Sequence, residues 1–225
     1  MSAYDQHFLM STEEAMAYAV SYLKYFPADA ALECREIGDG NINYVFRVSD
    51  KATGRSLVIK QADVLLRSSG RRLDTRHSRI EAQILAHYGR TAPEYVPALY
   101  DYNEAMCAIA MEDISAYRNM RKGLMDGETY PTFAADIADF MVCTLLPTTD
   151  LVADNKEKKQ NVATYTNPEL CDITEDLVLT EPYLAQPMNP RNKNIVTPGN
   201  EDFVREHLYE DEALHGEVAA LRNGF

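Results

Sequence analysis

A few residues of this sequence are of the types, and at the spacings, that handle phosphate groups. Gly38-Asp39-Gly40-Asn41 lies between two strand-like runs. Two glycines let backbone N–H groups come close to a phosphate, with Asn41 or Asn43 as further donors. The same stretch also reads as an ordinary Asp-Gly hairpin turn, and it is neither a Walker A loop nor a complete GxGxxG. Lys60 ends the apolar run Leu57-Val58-Ile59. A lysine in a buried strand needs a carboxylate or a bound anion, unless it snorkels out from the strand end. Glu81 follows in Ser78-Arg79-Ile80-Glu81, either as the partner of that lysine or as a solvated helix charge. Met111-Glu112-Asp113-Ile114 then leaves a strand where the composition shifts. Backbone N–H and C=O groups at such a point can meet the edge of a purine without any particular side chain.

The elements that must position these residues can be read from caps and periodicity. Ser11-Thr12-Glu13-Glu14 is a capping-box pattern, and Ala15, Ala19, Tyr22 and Leu23 share one helical face up to Phe26-Pro27. From about Leu32 the period becomes two, with Ile42, Tyr44, Phe46 and Val48 alternating along a strand. A turn over residues 49–54 leads to the Lys60 strand, and a helix is expected around 74–88 with Ile80, Ile84, Leu85 and Tyr88 inward. Residues 98–102 and 107–111 read as a hairpin. Beyond Glu112, Phe133, Ile137, Phe140, Met141 and Thr144 keep helical spacing behind Pro131-Thr132. Residues 150–200 read as irregular, and a helix or helix pair is expected toward the end, carrying Leu214, Val218 and Leu221. The fold class is α+β, a sheet-rich lobe joined to a helical one near 111–115.

Composition narrows the function classes. The chain has 225 residues, with 22 Lys+Arg against 35 Asp+Glu and a net charge of −13, so polyanions such as nucleic acid and anionic membranes repel it. Its uninterrupted apolar runs, such as 106–111, are far below the ~20 residues of a membrane span. The start Met1-Ser2-Ala3-Tyr4-Asp5 lacks signal-peptide features. Four isolated cysteines without CxxC spacing read as small buried hydrophobes in a reducing compartment. The expectation is a cytoplasmic protein with no nucleic-acid or membrane partner.

Glycine loop, strand lysine, helix glutamate and post-strand segment follow the order of the small lobe of protein-kinase-like enzymes. There the lysine holds nucleotide phosphates and the glutamate orients the lysine. The longer blocks are more specific. Glu36-Ile37-Gly38-Asp39-Gly40-Asn41-Ile42-Asn43-Tyr44-Val45-Phe46, Ile59-Lys60-Gln61-Ala62, Arg79-Ile80-Glu81, Val96-Pro97 and Met111-Glu112-Asp113-Ile114 resemble the S-methyl-5-thioribose kinase family. So do Arg121-Lys122-Gly123-Leu124 with Gly127 and Tyr130-Pro131, and Asn167-Pro168-Glu169-Leu170-Cys171-Asp172-Ile173-Thr174-Glu175-Asp176-Leu177-Val178.

The resemblance implies a protein-kinase-like two-lobe fold of the aminoglycoside-phosphotransferase branch. Residues 1–111 would form the nucleotide-binding N-lobe, 112–116 the hinge, and 117–225 an incomplete helical C-lobe. It implies transfer of the γ-phosphate of ATP to the 1-hydroxyl of methylthioribose in methionine salvage, with Mg2+, and a homodimer. Asn43 and Lys60 would contact the ATP phosphates, beneath the lid of Gly38, Gly40 and Asn41. Glu112, Asp113 and Ile114 would form the adenine hinge, and Glu81 would partner Lys60.

Two features depart from the family pattern. The family's tryptophan-containing stretch before the glutamate helix is absent, and Arg67, Arg71, Arg72, Arg76 and Arg79 stand there instead, as a solvated arginine-rich loop or as phosphate or sugar contacts. No His-Gly-Asp catalytic triplet occurs, and His215-Gly216-Glu217 is no substitute. Catalytic and Mg2+-binding residues are therefore expected to be missing from these 225 residues, and the chain alone is expected to be inactive. A non-catalytic nucleotide-binding or dimerisation remnant is the alternative; a choline or aminoglycoside kinase fits the 167–178 block poorly.

Overall fold

The computed structural model describes residues 3–37, 42–65, 72–185 and 195–224. Gly38, Gly40, Asn41, Arg67 and Arg71 lie outside the described residues. The protein divides into two compact units, Met1–Thr166 and Asn167–Phe225.

The first unit begins with the helix that its capping box specifies. Ser11 Oγ accepts from the Glu14 N–H at 3.2 Å, and the Glu14 carboxylate accepts from the Ser11 N–H at 2.7 Å. Helix α1 (Thr12–Ser21) ends earlier than its apolar spacing predicts, because Lys24 adopts a left-handed φ of 51° that no helix continues through. Five strands follow: β1 (Leu32–Glu36), β2 (Asn43–Asp50), β3 (Ser56–Ala62), β4 (Leu99–Asn103) and β5 (Ala108–Glu112). They form one antiparallel sheet in the order β1-β2-β3-β5-β4. Gly54, at φ 71°, makes the β2–β3 turn.

Alternation decides which side chains go where. Phe46 stands opposite Ile59 and Val48 opposite Leu57. These four pack with Ala15, Tyr18 and Ala19 of α1 into the core. Gln61 shares that face and is fully buried; its amide donates to the Phe8 and Met106 carbonyls, at 2.7 and 3.0 Å, and accepts from the Met10 N–H at 3.0 Å. Asn43, Val45 and Lys60, one residue out of phase, belong to the opposite face.

Helix α2 (Arg76–Thr91) supplies groups to that second face. Its most buried positions are His77, Ser78 and Ala82, not the expected Ile80, Ile84, Leu85 and Tyr88, which are half-buried. Small side chains let the helix start sit close to the sheet, and Ser78 donates to the Cys107 carbonyl at 3.2 Å. Three more helices complete the unit: α3 (Met120–Met125), α4 (Phe133–Thr144) and α5 (Asn155–Tyr165). In α4, Phe140 meets Tyr88 and Tyr95 edge-on and Thr144 is buried, while Phe133, Ile137 and Met141 stay exposed.

The second unit contains α6 (Pro168–Glu175), α7 (Glu201–Val204) and α8 (Glu212–Asn223), so among the described residues there are eight α-helices. The expectation of an irregular 150–200 segment is therefore corrected over Asn155–Tyr165 and Pro168–Glu175. Asp154 and Asn167 cap α5 and α6, accepting from backbone N–H groups two or three residues on, and Pro168 occupies the first turn, where a missing N–H costs nothing. Arg222 of α8 donates to Asp176 at 3.1 Å and to Thr180, with Asp172 and Glu175 within 3.7 Å. Three carboxylates of the 167–178 block thus hold the last helix.

The cysteines are all free; Cys107 is buried, Cys34 and Cys143 are half-buried, and Cys171 is exposed, against expectation. Among the described residues no helix is long and apolar enough to cross a membrane.

Candidate nucleotide site

Two polar pairs join the second face of the sheet to α2. Lys60 Nζ donates to Glu81 Oε1 at 2.5 Å. The Lys60 side chain is 25% exposed and that of Glu81 38%, so the pair stands open to an incoming anion. One turn earlier on α2 and two residues back in the β2–β3 register, Asn43 Oδ1 lies 3.1 Å from His77 Nε2. His77 Nδ1 is anchored on the Asp74 carbonyl oxygen at 2.7 Å. Asn43 and His77 are both buried. The spacing of His77 and Glu81, four residues apart on one helix face, brings the two pairs side by side. Sequence reasoning singled out Asn43, Lys60 and Glu81 but missed His77. The i,i+4 relation to Glu81 was the signal that could have found it.

The segment after β5 is tied down by its own side chains. The Glu112 N–H donates to the Ala98 carbonyl at 2.8 Å, and the Glu112 carboxylate accepts from the Ala98 N–H at 3.0 Å. Asp113 Oδ2 accepts from Arg47 Nε and from Ser56 Oγ, each at 2.6 Å, while Oδ1 accepts from the Ser115 N–H at 2.9 Å. The Asp113 side chain is only 4% exposed. Burial alone would raise its pKa, but the bonds from Ser56, Arg47 and Ser115 outweigh it and hold the carboxyl at about 2. The side chains of Glu112 and Asp113, and the Glu112 backbone N–H, are thus committed to the fold. The Ile114 side chain is exposed, and its backbone N–H has no hydrogen-bond partner among the described residues.

Arginines of the basic stretch are engaged nearby. Arg76 pairs with Asp74 at 2.5 Å and Arg79 reaches Glu104 at 3.7 Å. A cavity of about 290 Å3 lined by Tyr22, Tyr25, Leu57, Tyr100 and Asp101 belongs to the α1 side of the sheet, since Leu57 faces away from Lys60. Among the described residues no three His, Cys, Asp or Glu side chains are grouped to hold a metal ion.

Comparison with known proteins finds relatives named methylthioribose kinase. The chain is 38% identical over 219 residues to a methylthioribose kinase of Geobacillus sp. (strain WCH70), covering 95% of this chain and 52% of that protein. It is 43% identical over 180 residues to the methylthioribose kinase of Bacillus velezensis, covering 79% of this chain and 46% of the relative. Against the methylthioribose kinase of Geobacillus thermodenitrificans it is 37% identical over 226 residues, covering 100% of this chain and 54% of the relative. The chain spans about half the length of the curated relatives it matches. No protein-family model matches it.

Proposed function

We propose that this chain, which belongs to the methylthioribose kinase family over the half of its relatives' length that it spans, forms the ATP-holding part of a kinase for S-methyl-5-thioribose. The observation that carries the reading is the Lys60–Glu81 pair on the open sheet face. Glu81 holds the lysine ammonium in place before ATP arrives, and the same ammonium then donates to phosphate oxygens. Asn43 stands two residues along the β2–β3 register from Lys60 and adds amide N–H donors. The Ile114 N–H donates to the edge of the adenine, and the Arg47–Asp113–Ser56 cluster keeps that backbone fixed to β2 and β3. Residues 1–111, 112–116 and 117–225 correspond in this reading to nucleotide lobe, hinge and partial helical lobe. Gly38, Gly40 and Asn41 belong to the lid over the phosphates. Methylthioribose is the acceptor, the cytoplasm the compartment, and a homodimer the assembly.

Mg2+ supplies charge neutralisation between phosphate oxygens when bound in such enzymes. The resemblance implies Mg2+ ligands outside the described residues, among which no three His, Cys, Asp or Glu side chains are grouped. Phosphoryl transfer depends on positioning and on charge stabilisation around the reacting oxygen. With no His-Gly-Asp triplet in the 225 residues, this chain binds ATP without transferring its phosphate. Calorimetric titration with ATP, followed by phosphorus NMR of a mixture with Mg2+ and methylthioribose, tests both halves. Saturable binding is expected, lowered at least about thirtyfold by Lys60→Met through loss of a charge-assisted contact, and no sugar phosphate is formed. Binding indifferent to Lys60→Met would overturn the site, and turnover by the pure chain would overturn its non-catalytic status.

A further inference from the structure

His77 is the buried, titratable group of this site that the reading above leaves without a task. The Asp74 carbonyl oxygen can only accept, so the 2.7 Å contact places a proton on His77 Nδ1. Two arrangements then satisfy the 3.1 Å contact between Nε2 and the Asn43 amide. A neutral ring offers a lone pair at Nε2, so Asn43 must turn an N–H toward it and leave its carbonyl oxygen facing outward. An imidazolium offers an N–H at Nε2, takes the Asn43 oxygen, and leaves both amide N–H groups for an outside acceptor. A phosphate oxygen only accepts, so an anion beside Asn43 favours the second arrangement.

We infer that His77 is a positioning residue for phosphate recognition: it sets the direction of the Asn43 amide, and nucleotide binding draws a proton onto its ring. The inference rests on the reading of Asn43 as a phosphate contact. Asp74 and Arg76, at the start of α2, pair with each other at 2.5 Å. The Asp74 carboxyl lies below its usual range, chiefly through the Arg76 backbone N–H, with the His77 ring a smaller contributor. Lys60 and Glu81 pair on β3 and α2, and Arg79 reaches Glu104. His7 Nε2 lies 3.0 Å from the carbonyl of Ala62, the partner of Asn43 in register. His7 is thus the second imidazole near Asn43, and a comparison confined to His77 variants separates the two.

The coupling has a definite sign. Imidazoles as a class change charge between about pH 5 and pH 8. ATP affinity is therefore highest where the ring is protonated and falls as pH rises. Because ATP itself titrates in this window, the readout is the difference between the wild-type chain and His77→Gln, whose amide N–H takes the place of Nε2–H without titrating. Titration of ATP at about pH 5.5 and about pH 8, in two buffers of different ionisation enthalpy, gives affinity and proton uptake together.

The wild-type chain should lose about tenfold more affinity across that interval than His77→Gln, the size of one good hydrogen bond, and only it should take up the extra proton. His77→Phe should bind about tenfold more weakly at the lower pH. Equal pH profiles and equal proton uptake for the wild-type chain and His77→Gln, with both binding ATP, would overturn the inference and leave the site standing. Failure of every variant, wild type included, to bind ATP would instead remove the site on which it rests. If His77→Phe does not fold, the glutamine variant and the proton uptake still decide.

Discussion

Replacing Asp113 by asparagine keeps the side chain's shape and removes the charge that ties the segment after β5 to the sheet. The wild-type carboxylate accepts from Arg47, Ser56 and Ser115 and is almost fully buried. Those bonds hold its pKa at about 2. An unfolded aspartate titrates near ~3.9, and a shift of that size corresponds to an upper bound of about 2.6 kcal/mol at neutral pH. Arg47 is 35% exposed. Solvent screening and the hydrogen bonds that asparagine keeps reduce the expected cost to about 1–2 kcal/mol. The sign follows from the depressed value: the contribution is complete above about pH 5 and is lost as pH falls toward 2. Urea unfolding monitored by far-UV circular dichroism, at pH values stepped between about 7 and 3, reads the difference directly. Asp113→Asn should unfold at lower urea at pH 7, and the gap should close with acid. A gap that stays constant across the acid range, or no gap at pH 7, would refute the assignment of Asp113 as a charged anchor.

Other substitutions test neighbouring parts of the account. Glu81→Gln should weaken ATP binding by about fivefold or less in calorimetry, because a partly exposed ion pair contributes only about 1 kcal/mol or below. Gln61→Leu fills the same volume but strands the Met10 N–H and the Phe8 and Met106 carbonyls. It should cost about 3 kcal/mol in denaturant unfolding. Ser11→Ala removes the cap of α1 and should cost about 1 kcal/mol, with Ser11→Asp restoring most of it.

The parts of the fold that were legible in the sequence are those where one residue type has one cheap solution. Ser11 and Glu14 satisfy each other's backbone N–H groups, and the helix begins where they say. Alternation along β2 and β3 separates Phe46, Val48, Leu57 and Ile59 from Lys60, and the lysine meets the next helix's glutamate. Less legible were features set by packing or by single backbone angles. The end of α1 depends on Lys24, whose left-handed φ nothing in its type announces. The inner face of α2 is chosen by how closely small residues can approach the sheet, so Ser78 and Ala82 displace the larger apolar side chains. Helices α5 and α6 carry no buried apolar stripe that periodicity could detect. Their caps, Asp154 and Asn167, were the available sign, and the prolines nearby read as breakers although Pro168 sits at a helix start. The anchoring role of the Asp113 carboxylate was not legible because its partners, Arg47 and Ser56, are far away in sequence.

The central claim is that Lys60 meets the phosphates of ATP. An ATP analogue carrying an acyl-phosphate group transfers its acyl group to a lysine amine held against the phosphates, forming an amide on that nitrogen and releasing the nucleotide. Peptide mass spectrometry of the treated chain should find the acyl group concentrated on Lys60 and suppressed by excess ATP. Labelling spread over exposed lysines such as Lys51 and Lys158, with no protection by ATP, would contradict the account.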